Sequence, residues 1–584
     1  MYLSELKLWN FRKYGTDNFD PQNPSLIVPF TKGLNVLVGE NDSGKTAIID
    51  AIKLVLKTHA YEWIRVEEKD FYKNSQKFRI ELLFKGIQPN EAKNFIEWLG
   101  WEGEGENAKP ILRLIYQVER KNDRILPAEV KAGMDEDGYV LNAEARSYLK
   151  TTYLKPLRDA ESDLIAKKNS RLSQILKEHE LFVGKEKDHE LVQKFNDFNK
   201  EVKQWFEEEG KGKEAIKDVI DNFVKKFLED SRKSNITTGE DGDIKSILEK
   251  LTLEISDSTH PGLGSLNRLF MAAELLHLKK GNWDGLRICL IEELEAHLHP
   301  QVQMKVVEAL QEEKEVQFIL STHSPNLASK VKLHNLILCY GNDVYPLGEE
   351  DNDDSEEKKI EDKYTKLAPD DYKFLERFLD VTKANLFFAK GVILVEGWSE
   401  ALIIPVIADK IGCNLTNNEV SIVNVGNTAY QRYAKIFQRN DSKELDVRVA
   451  VVTDLDVRPD KEGNFSALEE AKKRTEKKEK VGKPVCTFVA KQWTLEWCLY
   501  KSQIGTDFEE IVKSLHSGID GFKTDFGKEL RDRLQNAYFK KVEIASLLAE
   551  KISKDEITID ESDEWLEYII KAIKYACRKI KCEE

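Results

Sequence analysis

No run of about 18 uncharged apolar residues, the length a membrane-spanning helix needs, occurs anywhere in this chain. The N-terminal MYLSELKLWNFRKYG alternates polar and apolar residues; it lacks the long apolar core of a signal peptide and reads as a first strand. Also missing is any C-x-x-C pair among the seven cysteines, Cys289, Cys339, Cys413, Cys486, Cys498, Cys577 and Cys582. That scatter argues against a disulfide framework and against a cysteine zinc site, and it predicts a reducing, cytoplasmic setting. Nor is there an excess of positive charge: 89 Lys and Arg face 104 Asp and Glu, a formal net charge of -15. A polyanion such as DNA then requires a local basic surface or bound cations.

What is present is globular. With 584 residues, 41% hydrophobic and 33% charged, the chain exceeds one ordinary core, and two or three domains are expected. Residues 1–160 alternate short apolar runs with amphipathic stretches (LNVLVG, TAIIDAIKLVLK, FRIELLF), the texture of an α/β fold. Residues 161–250 turn to long charged segments with apolar residues at helical spacing, a helical insertion that either supplies a partner surface or packs on its own domain. Strand and helix alternation returns at RICLIEE and VQFILSTHSP, so the first domain resumes over 251–345. The acidic run from Gly348 to Lys363 marks a solvated linker inside a connecting stretch, 346–390. A second α/β unit with trailing helices occupies 391–584.

GENDSGKT, Gly39 to Thr46, fits G-x-x-x-x-G-K-[ST], between the apolar run LNVLV and the helix-like KTAIIDAIKLVLK. The residues expected to hold ATP are Gly39, Asn41, Gly44, Lys45 and Thr46. Backbone N–H groups and the helix N-terminus cradle phosphates, Lys45 reaches the β and γ groups, and Thr46 holds Mg²⁺. In LIEELEAHLHP the apolar strand ends in Glu292 and Glu293. Adjacent carboxylates there divide the labour, Glu292 binding Mg²⁺ through water and Glu293 polarising the attacking water. The bland alternative is a core strand running into a charged helix start. His297 and His299 have no third ligand close by and are expected to serve the turn. His323, after a second apolar strand, is placed to sense the γ-phosphate.

From Gly391 the order GVILVEG, SEALIIPVIADKIG, VSIVNVG, TAYQRYAKIFQRN, VRVAVVTDLD is a β-α-β-α-β alternation apolar enough for a parallel sheet covered on both faces. Its acids fall just past strand ends, where open parallel sheets place ligands. Glu396 follows the first strand, and Asp454 and Asp456 follow the third, facing the same way if the segment stays extended. Glu400 lies one helical turn beyond Glu396. Such crowded carboxylates repel unless divalent cations neutralise them, and oxygen-only ligands suit Mg²⁺ or Mn²⁺. Taken singly, each acid also reads as a loop or helix cap.

The three N-terminal motifs resemble the Walker A, Walker B and switch-histidine motifs of ABC-type ATPases of the SMC and RecF kind. In that superfamily two heads sandwich ATP, which implies a homodimer or higher homo-oligomer through the ATPase domain and the helical insertion. The segment best matched to the capping signature is PGLGSLNRLFMAAELL, where Gly264 and Ser265 are expected to precede a helix; it departs from the usual LSGGQ-like pattern. E-G followed by D-x-D resembles the Toprim fold. The two units together, an SMC/RecF-like ATPase with a helical insertion and then a Rossmann-like Toprim domain, resemble the OLD (overcoming lysogenization defect) family of nucleases.

That resemblance implies a catalytic set of Glu396, Asp454, Asp456, Lys541 and, on the ATPase side, Glu293. Two Toprim metals are implied, drawing on Glu396, Glu400, Asp454, Asp456 and Glu496 of the TLE segment, with Thr46 holding the ion that accompanies ATP. Lys541 of KKVEIASLLAEKI matches the family's catalytic lysine, with Lys540 in reserve, and Arg158 of YLKPLRDAE matches a polar anchor. DNA is the implied substrate, a helicase or other defence-system protein a further partner, and anti-phage defence or DNA processing the setting. Tyr430 or Tyr433 would serve instead if the chemistry were of the topoisomerase type, and the basic run from Glu469 to Lys483 offers either a phosphate contact or a merely solvated face. The competing reading is an ATP-driven DNA clamp or scaffold whose Toprim unit binds without cutting.

Overall fold

A computed structural model describes every residue except 61–63, 123, 156–162, 186, 229–241, 257–261, 280–284, 349–362, 427–428, 461–472, 474–483, 537 and 583–584. Arg158, most of the acidic run after Gly348 and nearly all of the basic run before Lys483 therefore lie outside the described residues.

The N-terminal half is built on two sheets. The first is antiparallel, ordered Leu26–Pro29, Tyr2–Trp9, Lys77–Lys85, Lys109–Lys121, Val130–Ala132 and Tyr139–Val140. The second is parallel through Thr152–Leu154, Ile288–Ile291, Gln317–Thr322, Leu34–Val38 and Leu336–Tyr340, and Asp343–Pro346 closes it as an antiparallel hairpin strand. Helix Lys45–Leu56 lies between the sheets, its Ile48, Ile49 and Ile52 buried with Leu6, Ile80 and Leu114 of one and Leu37, Leu290 and Ile319 of the other. Burying so many aliphatic side chains against two sheets at once anchors the phosphate loop to a rigid frame.

Strand Ile288–Ile291 pairs in parallel with Thr152–Leu154, so the sheet resumes across the intervening helices. Those helices include Arg171–Lys177, Glu190–Glu207, Asp218–Leu228 and Ile244–Leu248, with a small core around Val192, Ile244 and Leu248. Arg171 and Glu274 form a buried, bidentate ion pair that ties them to helix Leu263–Leu275. Gly264 and Ser265 sit inside the first turn of that helix rather than before it. A side chain on Gly264 would lie 2.8 Å from the His297 carbonyl.

The C-terminal sheet is wholly parallel, ordered Val420–Asn424, Gly391–Val395, Arg448–Thr453 and Val485–Val489. Period two decides its faces: Val392, Leu394, Val449 and Val451 enter one core, while Ile393, Val395, Ala450 and Val452 enter another beneath the C-terminal helices. The first of these cores is shared with Leu34, Val36 and Leu320 of the ATPase sheet, so the two units are fused by common apolar burial. Gly391 starts the central strand where helix Glu567–Ala576 ends against it; a Cβ there would meet the Ala576 carbonyl at 2.4 Å.

One expectation is overturned. Cys486 on the fourth strand and Cys582 near the C-terminus are joined in a disulfide across 96 residues, with Cα atoms 5.9 Å apart. Sequence spacing carried no sign of it because the fold alone brings the two thiols together; the other five cysteines are buried and form no disulfide. Among the described residues no helix is long and apolar enough to cross a membrane.

Candidate functional site

At the phosphate loop the chain leaves strand Leu34–Val38 and enters helix Lys45–Leu56 through Gly44, whose φ of 100° is costly for any residue with a Cβ; that Cβ would also lie 2.0 Å from the Tyr14 hydroxyl. The loop opens on a cavity of about 310 Å³ lined by Arg12, Lys13, Asp42, Gly44, Lys45, Thr46, Glu293, Ser321 and His323. Lys45 is buried, its ammonium donating to the carbonyls of Gly39 (2.8 Å) and Glu40 (2.5 Å) and to Ser43 Oγ (3.1 Å). Burial lowers it to about 8 despite the nearby Glu295, Glu293 and Glu40. Asn41 is exposed on the loop, and Thr46 faces the cavity while hydrogen-bonded to Glu292.

The two glutamates divide as their environments differ. Glu292 is buried, accepts from Tyr153 Oη at 3.0 Å, and is pushed up by burial and by Asp50. Glu293 is exposed to the cavity in a left-handed backbone conformation, φ 44°. His323 lies across the same cavity, its ring hydrogen-bonded to the Gly39 backbone and its pKa lowered by burial and by Lys45. His297 and His299 are exposed, the latter capping helix Pro300–Glu312.

Sequence reasoning passed over three residues here. Arg12 and Lys13 line the cavity, Arg12 held by Asp50 and Asp70 and Lys13 by the Asp42 carbonyl. Their signal was a basic pair closing the first strand. Glu295 accepts the His323 amide at 2.6 Å and the Thr322 hydroxyl at 2.9 Å, which fixes the end of the strand that carries the histidine.

The second site lies at the carboxyl edge of the parallel C-terminal sheet, beside the point where strand order reverses. Glu396 follows Gly391–Val395 and Asp454 follows the adjacent Arg448–Thr453. Glu400 stands in the first turn of helix Trp398–Lys410, and buried Glu496 in the first turn of helix Leu495–Lys501. These four form one electrostatic cluster. Glu400 is pushed up to about 7 by burial and then by Glu496 and Glu396. Asp454 is raised well above the carboxylate range by burial and then by Glu496, Glu400 and Glu396. Lys541, first residue of helix Lys541–Ser553, places Nζ 3.1 Å from Glu496 Oε2; burial lowers its pKa, and Glu496 and Asp454 more than offset that. Lys540 instead pairs with Glu543 on the exposed side.

Asp456 stands apart from the extended geometry expected for D-x-D. The strand ends at Thr453, Leu455 turns into the core, and Asp456 adopts φ 61° with its side chain exposed and its amide bonded to the Trp493 carbonyl at 3.0 Å. Once the chain leaves the strand, period two no longer aligns the pair. Lys473, the described residue of the basic run, donates to the Asp456 carbonyl at 3.3 Å. Tyr430 and Tyr433 are buried on their helix, and Tyr433 donates to the Phe378 carbonyl, so neither hydroxyl is presented as a nucleophile.

Among the described residues no three histidine, cysteine or carboxylate groups are drawn onto one ion-sized point. Three of the four acids accept from neighbouring donors: Glu396 from Thr453 Oγ1, Asp454 Oδ1 from the Leu495 amide at 2.9 Å, and Glu496 from Lys541. The donor set still fits a hard divalent cation, being all oxygen and carrying carboxylates that hold protons unless positive charge replaces them.

Comparison with known proteins agrees with both halves. An AAA ATPase domain model matches residues 1–231 and 104–328, together more than half of the chain, and a model of the overcoming lysogenization defect protein-like TOPRIM domain matches residues 387–456. The chain is 23% identical over 481 residues to endonuclease GajA of Bacillus cereus (strain VD045), covering 79% of this chain and 76% of that protein. Among solved structures, an SmcHead bound to the C-winged helix domain of ScpA aligns over 58% of this chain and 93% of its own at 17% identity and TM-score 0.34. The C-terminal region of the Xanthomonas campestris pv. campestris OLD protein aligns over 33% of this chain and 96% of its own at 22% identity and TM-score 0.25. The chain therefore belongs to the AAA ATPase domain family and carries an OLD-like Toprim domain behind that ATPase, a combination that supports an ATPase-nuclease of the OLD family.

Proposed function

We propose that this protein is an ATP-binding, metal-dependent DNA endonuclease that hydrolyses phosphodiester bonds at the Toprim carboxylate site under control of the ATPase head, in anti-phage defence or DNA processing. The observation that carries the reading is the cluster of Glu396, Glu400, Asp454 and Glu496 at one sheet edge, with Asp454 and Glu400 raised by burial and then by their carboxylate neighbours, and Lys541 beside them. Mg²⁺ or Mn²⁺ bound there, one ion by Glu396 and Asp454 and a second by Glu400 and Glu496, would supply the positive charge that activates water and stabilises the leaving oxygen. Lys541 holds Glu496 in place and offers an ammonium to charge developing on the scissile phosphate. On the ATPase side Thr46, hydrogen-bonded to Glu292, would hold the ion that accompanies ATP, and Glu293 and His323, which line the same cavity, would act at the γ-phosphate. Similarity to an endonuclease supports DNA as substrate, and the resemblance of the phosphate-loop, glutamate and histidine motifs to ATPases that sandwich ATP between two heads supports a homo-oligomer.

Plasmid cleavage, with metal and nucleotide varied independently, tests this. Replacing both Glu396 and Asp454 by alanine is expected to lower Mg²⁺- or Mn²⁺-dependent cleavage at least ~1,000-fold while leaving ATP binding intact. Equal cutting by the double variant, or no cutting by the wild type, would instead favour the ATP-driven clamp.

A further inference from the structure

Tyr568 opens the last helix, Glu567–Ala576, which packs on the two strands that end in Glu396 and Asp454 and on the helix that carries Glu400. Only 8% of the residue is exposed, and its hydroxyl has no hydrogen-bond partner among the described residues. A buried phenol hydroxyl without a partner is costly, because the water it leaves behind is not replaced. Its surroundings explain what is missing. Burial first, then the thiol of Cys498 and three acids of the Toprim cluster, Asp454, Glu400 and Glu496, raise the pKa of this phenol, which sets the residue in the electrostatic field of the cluster. Asp454 Oδ1 accepts from the Leu495 amide and Glu496 Oε2 from Lys541, while the hydroxyl of Tyr568 donates to neither acid.

We propose that Tyr568 is a positioning residue of the metal centre, its hydroxyl donating to an oxygen of the divalent cation's shell, a bound water or a carboxylate oxygen turned toward the ion. The assignment rests on the metal-dependent reading above. Mg²⁺ keeps several waters when bound, and outer hydrogen bonds to them set affinity and orientation. Tyr575, seven residues on, is the built-in contrast: it is buried on the same helix, but its hydroxyl donates to the Pro484 carbonyl at 2.7 Å.

The test is a calorimetric titration of the full-length protein with Mn²⁺, with thermal melts of the metal-free forms, for wild type, Tyr568→Phe and Tyr575→Phe. Tyr568→Phe is expected to weaken Mn²⁺ binding about tenfold, with the metal-free melting temperature unchanged or raised. Tyr575→Phe is expected to lower the melting temperature and leave Mn²⁺ affinity alone. Unchanged affinity in Tyr568→Phe, or a lower metal-free melting temperature there, overturns the assignment while the metal site stands. A wild type that binds no Mn²⁺ overturns the metal site itself.

Discussion

A carboxylate surrounded by others holds its proton until a cation takes its place, and Glu400 turns that into a pH dependence. Its pKa rises from 4.5 to about 7 on folding, through burial first and through Glu496 and Glu396 second. Below the lower value Glu400 is protonated whether or not the chain is folded, and nothing is lost. As pH climbs, the unfolded chain releases its proton first, so metal-free stability falls across that interval and is lowest above the upper value. Asp454 moves in the same direction. Metal-free protein is thus expected to melt lower at about pH 7.5 than at about pH 5, and Mg²⁺ or Mn²⁺ should raise the melting temperature more at the higher pH. Glu400→Gln should flatten the metal-free difference. A melting temperature that rises with pH in the presence of a chelator would contradict this account.

At the scale of elements, strand ends position nearly everything that matters. The strand Gln317–Thr322 delivers His323 to the nucleotide cavity, and Glu295, from the turn after the neighbouring strand, clamps its end through the Thr322 hydroxyl and the His323 amide. Glu295→Ala should let that end wander. ATP hydrolysis is expected to fall about tenfold, the cost of one misplaced catalytic hydrogen bond, with ATP affinity within about threefold of wild type, measured by steady-state kinetics and by titration. Loss of affinity without loss of turnover would mean that Glu295 serves binding instead. Strand ends were also where the sequence was most legible, since an apolar run followed by acids or by S-T-H has one natural reading in a parallel sheet. D-x-D was the exception, because a chain that turns after Asp454 carries no mark of the turn in its residue types.

Across the whole molecule the two sites are mechanically close. Glu40 of the phosphate loop lies 3.7 Å from Lys390, which also pairs with Glu419 and stands one residue before strand Gly391–Val395, whose far end leads into Glu396. Tyr340 and Tyr345 of the ATPase hairpin donate to the carbonyls of Ala389 and Glu444 across the same junction, and one apolar core runs beneath it. Exposed ion pairs add about 0–1 kcal/mol, so this one serves register more than stability. Lys390→Glu, which sets like charges beside Glu40 and Glu419, is expected to leave the melting temperature within about 2 °C and cleavage without nucleotide unchanged. The effect of ATP on cleavage should shrink at least about threefold, a shift of the size that side-chain networks carry between sites. An unaltered nucleotide response would place the coupling elsewhere.

The sequence by itself determined the phosphate loop, the glutamates after Ile291, His323 and the acids after Val395 and Thr453, because phosphate and metal chemistry need fixed residue types at fixed short spacings. Tertiary structure alone decided that Glu496 and Lys541 meet, that Asp456 turns outward, that the Tyr568 hydroxyl is buried without a partner beneath the acids' sheet edge, and that Cys486 reaches Cys582. Those contacts join residues tens to hundreds of positions apart, and only burial of the C-terminal helices on the sheet sets their distances.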